Sequence, residues 1–218
     1  MFRKTLHLTF AVVVTLASAS ITDAQTRTGS FSVNGNFGAS LPVGKMDNRP
    51  FDGGINASTG HEVGFAIHAE TGSSLVLSAD VRYVAMSVDA GFFFLDATAH
   101  SYLFGLSGIY YPGSPVSETQ PFLIAGVMGG KPRVTADKDF RDAVMEVEFA
   151  VGVHGGAGVM QMVSQSVGIT AALELNHMAT DGAKVTTVNN GQNVNTSELS
   201  LNMQWVSVRF GVTKKFGG

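Results

Sequence analysis

Three histidines lie at the edges of segments in which apolar and polar residues alternate. They are His61, His100 and His177, with Asp96, Ser101 and Asp181 close to them in the chain. Imidazole, hydroxyl and carboxylate groups are the components of nucleophilic hydrolases and of metal sites. No spacing ties the three histidines together, so solvated side chains are the simpler interpretation. Catalysis by these groups is the alternative.

Three short stretches begin like known motifs but do not complete them. His61-Glu62 opens like a zinc-protease motif, yet Phe65 stands where the second histidine is required. His154-Gly155-Gly156 resembles an esterase oxyanion loop, but the chain has no Gly-x-Ser-x-Gly. Gly129-Gly130-Lys131 lacks the earlier glycine of a phosphate loop. We therefore predict no catalytic residues, no metal site and no cofactor.

The elements that carry these residues are predicted to be β-strands. Between Val63 and Ala85 the odd positions are apolar, whereas the even positions carry small and charged residues. Period two indicates strands, and Thr71-Gly72-Ser73 in the middle indicates a hairpin turn. If Gly72 is central, Glu62 lies opposite Arg82.

The same alternation predicts eight strands. They are Phe31–Pro42, His61–Glu70, Ser74–Met86, His100–Tyr110, Pro121–Gly129, Val147–Val163, Val167–Met178 and Glu198–Phe216. Their connections alternate between long and short, with Ala179–Ser197 the longest loop. This order favours an all-β, eight-stranded antiparallel up-and-down barrel over a Greek-key sandwich. The apolar positions switch from odd to even near Trp205, which predicts a bulge there.

The first residues resemble a secretory signal peptide. Arg3 and Lys4 precede an apolar stretch, and small residues end at Ala24. We expect residues 1–24 to be the signal peptide and residues 25–218 to form one domain. The chain has no cysteine, which excludes disulfides, and its formal net charge of −3 gives no reason to expect nucleic acid binding.

The predicted barrel must point its apolar faces either inward or outward. Eight strands leave space inside only for side chains, and the apolar faces carry too much volume to fit. We therefore expect these faces to contact lipid and the small residues of the other face to make room for charges. The predicted interior charge network comprises Glu62, Arg82, Asp80, Glu148, His154, Glu174 and Arg209. The predicted lipid-facing residues are Phe65, Ile67, Leu75, Leu77, Tyr83, Phe104, Leu173 and Phe210. The facing of Pro121–Gly129, which is apolar on both sides, stays open.

Charges inside a barrel are costly unless they are paired. We expect two ion pairs: Glu62 with Arg82, and Glu174 with Arg209. Aromatic residues at the turn ends of the strands are expected to form an interfacial girdle. They are Phe31, Tyr110, Tyr111, Phe122 and Phe216.

Taken together, the chain resembles the small outer-membrane barrels of the OmpA, OmpX and OmpW kind. The resemblance rests on the signal peptide, the strand count, and the segments Pro121–Val127, Gly152–Gly158 and Val206–Val212. It implies a bacterial outer-membrane location and insertion by the barrel-assembly machinery. Members usually end on an aromatic residue, whereas here Phe216 is followed by Gly217-Gly218.

The function that this resemblance implies is structural, or an interaction at the cell surface, by a monomer whose partner is outer-membrane lipid. Three alternatives stay open. One is a narrow, porin-like channel or a conduit for small apolar compounds, which the run Phe92–Phe94 favours. Another is an enzyme that modifies lipid through the rim histidines. The third is a soluble lipocalin-like barrel, which would require the apolar faces to point inward.

Overall fold

The computed structural model describes residues 30–44, 56–71, 74–90, 95–112, 117–136, 143–147, 149–189 and 192–216. In 89–90, 95–97, 134–136, 143–147, 180–189 and 192–201 the backbone pairing is described. The expected signal peptide, Phe92–Phe94 and Glu148 lie outside the described residues. No helix in the described part of the chain is long and apolar enough to cross a membrane.

In the part of the chain that the structure describes, nine strand segments form one antiparallel sheet. They are β1 (Phe31–Pro42), β2 (Gly60–Glu70), β3 (Leu75–Ala90), β4 (Leu95–Tyr110), β5 (Thr119–Ala136), β6 (Ala143–Val147), β7 (Ala150–Met162), β8 (Val167–Asn189) and β9 (Gln192–Phe216). Both β6 and β7 pair with β5 and with β8, so they occupy a single strand position. Because β1 pairs with β9, the sheet closes into the predicted eight-stranded barrel.

The strands begin and end close to the predicted positions at the turn end, which is the end that carries Phe31 and Phe216. At the opposite end, the loop end, β1 and β2 keep their predicted ends to within one residue, whereas five other strands run further than predicted: β3, β4, β5, β8 and β9. Ala179–Ser197 is not a loop, because β8 and β9 continue as a paired hairpin to Asn189 and Gln192. The hairpin sequence is polar on both faces, so the alternation that marks a half-buried strand is missing there.

The β2–β3 register differs from the prediction by two residues. Glu62 lies opposite Val84, and Arg82 lies opposite Gly64. The connection is longer than predicted, because β3 begins at Leu75 instead of Ser74. The hydroxyl of Thr71 donates a hydrogen bond across it to the carbonyl oxygen of Leu75 at 2.6 Å. A shift of two residues keeps each side chain on its predicted face.

The predicted bulge at Trp205 is absent, since β9 pairs without interruption with β1 from Trp205 to Phe216. The register shifts lie further along the hairpin, between Thr180 and Ala183 and between Thr187 and Val188. Trp205 points inward and is buried. The apolar parity changes there because the barrel interior itself becomes apolar towards the loop end.

Candidate functional site: the barrel interior and its outer wall

The barrel interior is filled in three layers. At the loop end, a buried apolar cluster includes Leu103, Met128, Met178 and Trp205. At the turn end, a second cluster comprises Val76, Ile109, Phe122, Ile124 and Met160. The charged layer lies between them, and a cavity of about 50 Å³ separates it from the turn-end cluster.

Glu174, which is 0% exposed, is the centre of the charged layer. One carboxylate oxygen, Oε2, accepts a hydrogen bond from Arg82 Nη1 at 3.0 Å and lies 3.1 Å from His154 Nδ1. The other, Oε1, forms an ion pair with Arg209. Four residues from β3, β7, β8 and β9 therefore meet at one carboxylate group.

Two further carboxylates complete the charged layer. Asp80 accepts a hydrogen bond from Arg82 Nε at 2.6 Å, and Glu62 lies 3.5 Å from Arg209 Nε. Of the predicted pairs, Glu174 with Arg209 is present. Arg82, however, contacts Asp80 and Glu174 instead of Glu62, because the register places it opposite Gly64. Six of the seven predicted network residues thus lie together, and the seventh, Glu148, is outside the described residues.

Small polar side chains extend the network in a way that was not predicted. Ser40 and Ser207 both donate hydrogen bonds to Glu62 Oε2, at 2.9 and 2.7 Å. Asn176 in turn donates to Ser207 at 2.9 Å. Strand parity was the available signal for Ser207 and Asn176, which share an inner face with Arg209 and Glu174, whereas β1, which carries Ser40, has no charged residue. These groups satisfy lone pairs that a buried carboxylate must not leave unpaired.

Glycines make room for the charged layer. A Cβ on Gly156 would lie 2.8 Å from Glu174 Cγ and 2.1 Å from the carbonyl oxygen of Leu173. A Cβ on Gly105 would lie 2.5 Å from Asp80 Oδ1. At Gly156 and Gly105, the absence of a side chain therefore leaves the space that Glu174 and Asp80 occupy, as the prediction of small residues beside charges requires.

One part of the charged layer has the order of a catalytic triad. Ser107 Oγ lies 2.9 Å from His154 Nε2, and His154 Nδ1 lies 3.1 Å from Glu174 Oε2. All three side chains are buried between the apolar clusters. Two arginines also hold Glu174, and the hydroxyl of Ser107 does not line the interior cavity. The arrangement links three strands without offering a substrate access to the hydroxyl.

The three rim histidines do not come together in a catalytic or metal site. His61 and His100 lie on the outer wall on either side of Ala85. Ser101 follows His100 on a strand and therefore points to the opposite face. His177 lies on β8, where its Nδ1 is 2.9 Å from Gln204 Nε2. Among the described residues, no three His, Asp or Glu side chains are grouped as a metal site requires.

Comparison with known proteins finds similarity in structure. No protein-family model matches the sequence, and no curated protein sequence matches it significantly. A major outer membrane protein of Thermus thermophilus has 13% identity and a TM-score of 0.63, over 87% of this chain and all of the other. OprG of Pseudomonas aeruginosa has 18% identity and a TM-score of 0.60, over 88% and 98%. Neisserial surface protein A has 17% identity and a TM-score of 0.51, over 86% and 97%.

The chain has the fold of the small outer-membrane β-barrels. In this barrel the apolar strand faces point outward, as Leu106 and Phe149 show with 63% exposure each. The lipocalin-like arrangement, which needs those faces inside, is wrong. The Pro121–Gly129 segment, whose facing the sequence left open, points Phe122, Ile124 and Met128 inward.

Most of the predicted lipid-facing residues are exposed on the outer wall of the barrel. These are Phe65, Ile67, Leu77, Phe104, Leu173 and Phe210. Tyr83 is partly exposed and its ring lies 5.1 Å from that of Tyr102. Leu75 differs, because it is 8% exposed and lies beside Gly108, opposite Tyr110.

The predicted aromatic girdle at the turn end divides into two groups. Phe31 and Phe216 stack on the outer wall with ring centroids 5.0 Å apart, and Tyr110 is exposed. Phe122 points inward instead, and Tyr111, which follows β4, packs 5.8 Å from it. Burial raises the pKa of Tyr111 to about 12, so its phenol stays neutral within the turn-end cluster.

Proposed function

We propose that the protein is an integral outer-membrane barrel of a Gram-negative-type bacterium, with a structural or surface-interaction role and no catalytic one. The observation that carries the proposal is the distribution of side chains. Large apolar residues cover the outer wall, whereas charged residues are enclosed inside. An exposed apolar surface that surrounds the whole barrel would be a liability in water, but it matches the hydrocarbon of a bilayer.

The orientation in the membrane follows from the connections. Barrels of this kind place short turns on the periplasmic side and longer loops outside. The turn end would thus face the periplasm. The β8–β9 hairpin would project from the cell surface, because its strands of 23 and 25 residues exceed the roughly 9 to 11 that cross a bilayer.

The filled interior favours a surface role over transport. The loop-end cluster, the charged layer and the turn-end cluster lie one above another across the barrel. We propose that the chain acts as a monomer surrounded by outer-membrane lipid, after insertion by the barrel-assembly machinery. The stacked pair of Phe31 and Phe216 closes the junction between the first and last strands.

Labelling of single cysteines tests the orientation, since the chain contains no cysteine of its own. Asn195→Cys, in the hairpin, should react with a membrane-impermeant maleimide in intact cells. Gln165→Cys, in the turn between β7 and β8, is the matched control and should react only after the outer membrane is permeabilised. Equal labelling of both sites in intact cells would contradict the proposed orientation.

Conductance in a planar bilayer tests the closed interior. The purified protein should give no stable unitary current, because three layers of side chains fill the barrel. Reproducible channels would favour the narrow-channel alternative instead.

A further inference from the structure

A wide apolar groove lies on the outer wall of strands β2 to β7. Its volume is about 750 Å³, and its lining includes Phe65, Ile67, Ala79, Phe104, Leu106 and Phe149. Gly129 forms part of the floor of the groove. The ring of Phe149 lies over it, 2.7 Å from the position that a Cβ on Gly129 would occupy. Within a membrane this groove faces acyl chains.

Two rows of side chains border the groove on its loop side. Strand register places Tyr83 beside Tyr102 and Tyr102 beside Lys131. These residues belong to the outward-facing set, and the two tyrosine rings are in contact. Tyrosines at this level are typical of the boundary between hydrocarbon and headgroups.

The next row, further towards the loop end, is basic. His61 pairs in register with Ala85, Ala85 with His100, and His100 with Arg133. Their strand parity matches that of the exposed Tyr102, so they point outward. We define His61, His100, Lys131 and Arg133 as the basic rim. In the backbone pairing, Glu146 on β6 is the register partner of Arg133.

The basic rim holds two cations, Lys131 and Arg133, whereas the chain as a whole has a formal net charge of −3 with histidine counted as neutral. These two cations, together with the imidazole N–H donors of His61 and His100, lie directly above an apolar groove and complement a lipid that carries negative charge in its headgroup. From β2 to β5 the rim spans three strand spacings, or roughly 14 Å at about 4.8 Å each. That width exceeds a single phosphate and suits a headgroup with separated phosphates.

We propose that this wall is a binding site for lipid A, the phosphorylated glycolipid of the outer leaflet. The acyl chains occupy the groove, the tyrosines lie at the glycolipid boundary, and the basic rim binds the phosphates. Phosphate oxygens accept charge-assisted hydrogen bonds from Lys131 and Arg133. This inference rests on the proposed function, because it requires the loop end to lie in the outer leaflet.

Native mass spectrometry of the full protein in mild detergent tests the site with bis-phosphorylated lipid A as the probe. Lys131→Glu combined with Arg133→Glu should weaken binding roughly tenfold or more, since each charge-assisted contact is worth at least about a factor of ten. Lys214→Glu combined with Lys215→Glu makes the same charge change at the turn end and should leave the affinity unaltered. Dephosphorylated lipid A should bind the unmodified protein as weakly as lipid A binds the rim variant.

The groove requires its own variant. Ala79→Phe should fill part of it and weaken lipid A binding without altering the basic rim. Equal affinity of the rim and turn-end variants would overturn the site, as would equal binding of phosphatidylglycerol and lipid A.

Migration on an SDS gel with and without heating, recorded on each sample, shows whether the barrel is folded. This readout is independent of lipid A binding. A variant that keeps its gel shift but loses lipid A supports the site. An unmodified protein that shows no gel shift would overturn the proposed function and the lipid site together.

Discussion

Glu174 joins three other residues of the charged layer through one carboxylate group. Its carboxylate contacts Arg82, His154 and Arg209, and none of it is exposed. In a medium that excludes water, charges must be balanced by close partners. The two guanidinium groups therefore depend on this carboxylate as much as it depends on them.

Replacing Glu174 by Gln should lower the free energy of unfolding by about 3–5 kcal/mol, because two buried guanidinium groups then share a neutral amide. Urea unfolding in lipid vesicles measures the change. Glu70→Gln is the control, since Glu70 pairs with Lys215 at 3.6 Å in a partly exposed position and should cost no more than about 1 kcal/mol. Equal losses in both variants would show that the central position of Glu174 is unimportant.

Gly156→Ala should also destabilise the barrel, by about 1–3 kcal/mol, since the new methyl group meets Glu174 and the backbone of Leu173. The adjacent Gly155→Ala provides a matched control, because its Cβ would come no closer than 3.6 Å to the carbonyl oxygen of Ile124. The same unfolding assay compares them. A stable Gly156→Ala variant would mean that the space beside Glu174 is larger than the structure shows.

At the residue scale, the sequence indicated which side chains point inward and one of the two ion pairs, Glu174 with Arg209, but not the partners of Arg82. Parity places Arg82 and Glu174 inside whatever the register is. The partner of Arg82, by contrast, depends on the exact length of the turn at Thr71, which the alternation does not encode. Ser40 and Ser207 were missed because a serine on an inner face has no charge to mark it.

At the scale of the elements, each strand points its apolar face outward, where we expect lipid. Leu106→Arg should cost about 2–4 kcal/mol, because it places a charge against the hydrocarbon on β4. Val163→Arg is the control: Val163 is similarly exposed, at 58% against 63%, but lies in the turn after β7. There the cost should fall to about 0–1 kcal/mol. Similar costs, measured by unfolding in vesicles, would contradict the outward facing of β4 into lipid.

The accuracy of the predicted strand ends has a physical explanation. The turn ends were predicted well, because there an apolar and a polar face alternate up to a short connection. Beyond the loop-end cluster both faces of β8 and β9 become polar, so period two disappears although the backbone pairing continues. At Trp205 the apolar parity changed for a different reason, namely the apolar layer inside the barrel.

In the whole molecule, the pairing of β1 with β9 closes the barrel. The closed barrel separates an outer wall of apolar side chains from an interior that holds the charged ones. The strand count and the barrel class followed from alternation and loop order. The interior layers did not, because inward-facing apolar residues such as Leu103, 1% exposed, look the same in the sequence as lipid-facing ones. A barrel with charges inside and apolar residues outside is a membrane protein.

Migration of the outer-membrane fraction on an SDS gel, with and without boiling, is the decisive experiment for this conclusion. A closed barrel should resist the detergent at room temperature, so the unheated band should migrate apart from the boiled one. We expect recovery in the membrane fraction together with this shift. Recovery in the soluble fraction with no shift would show the conclusion to be wrong, since the exposed apolar wall would then have no lipid to contact.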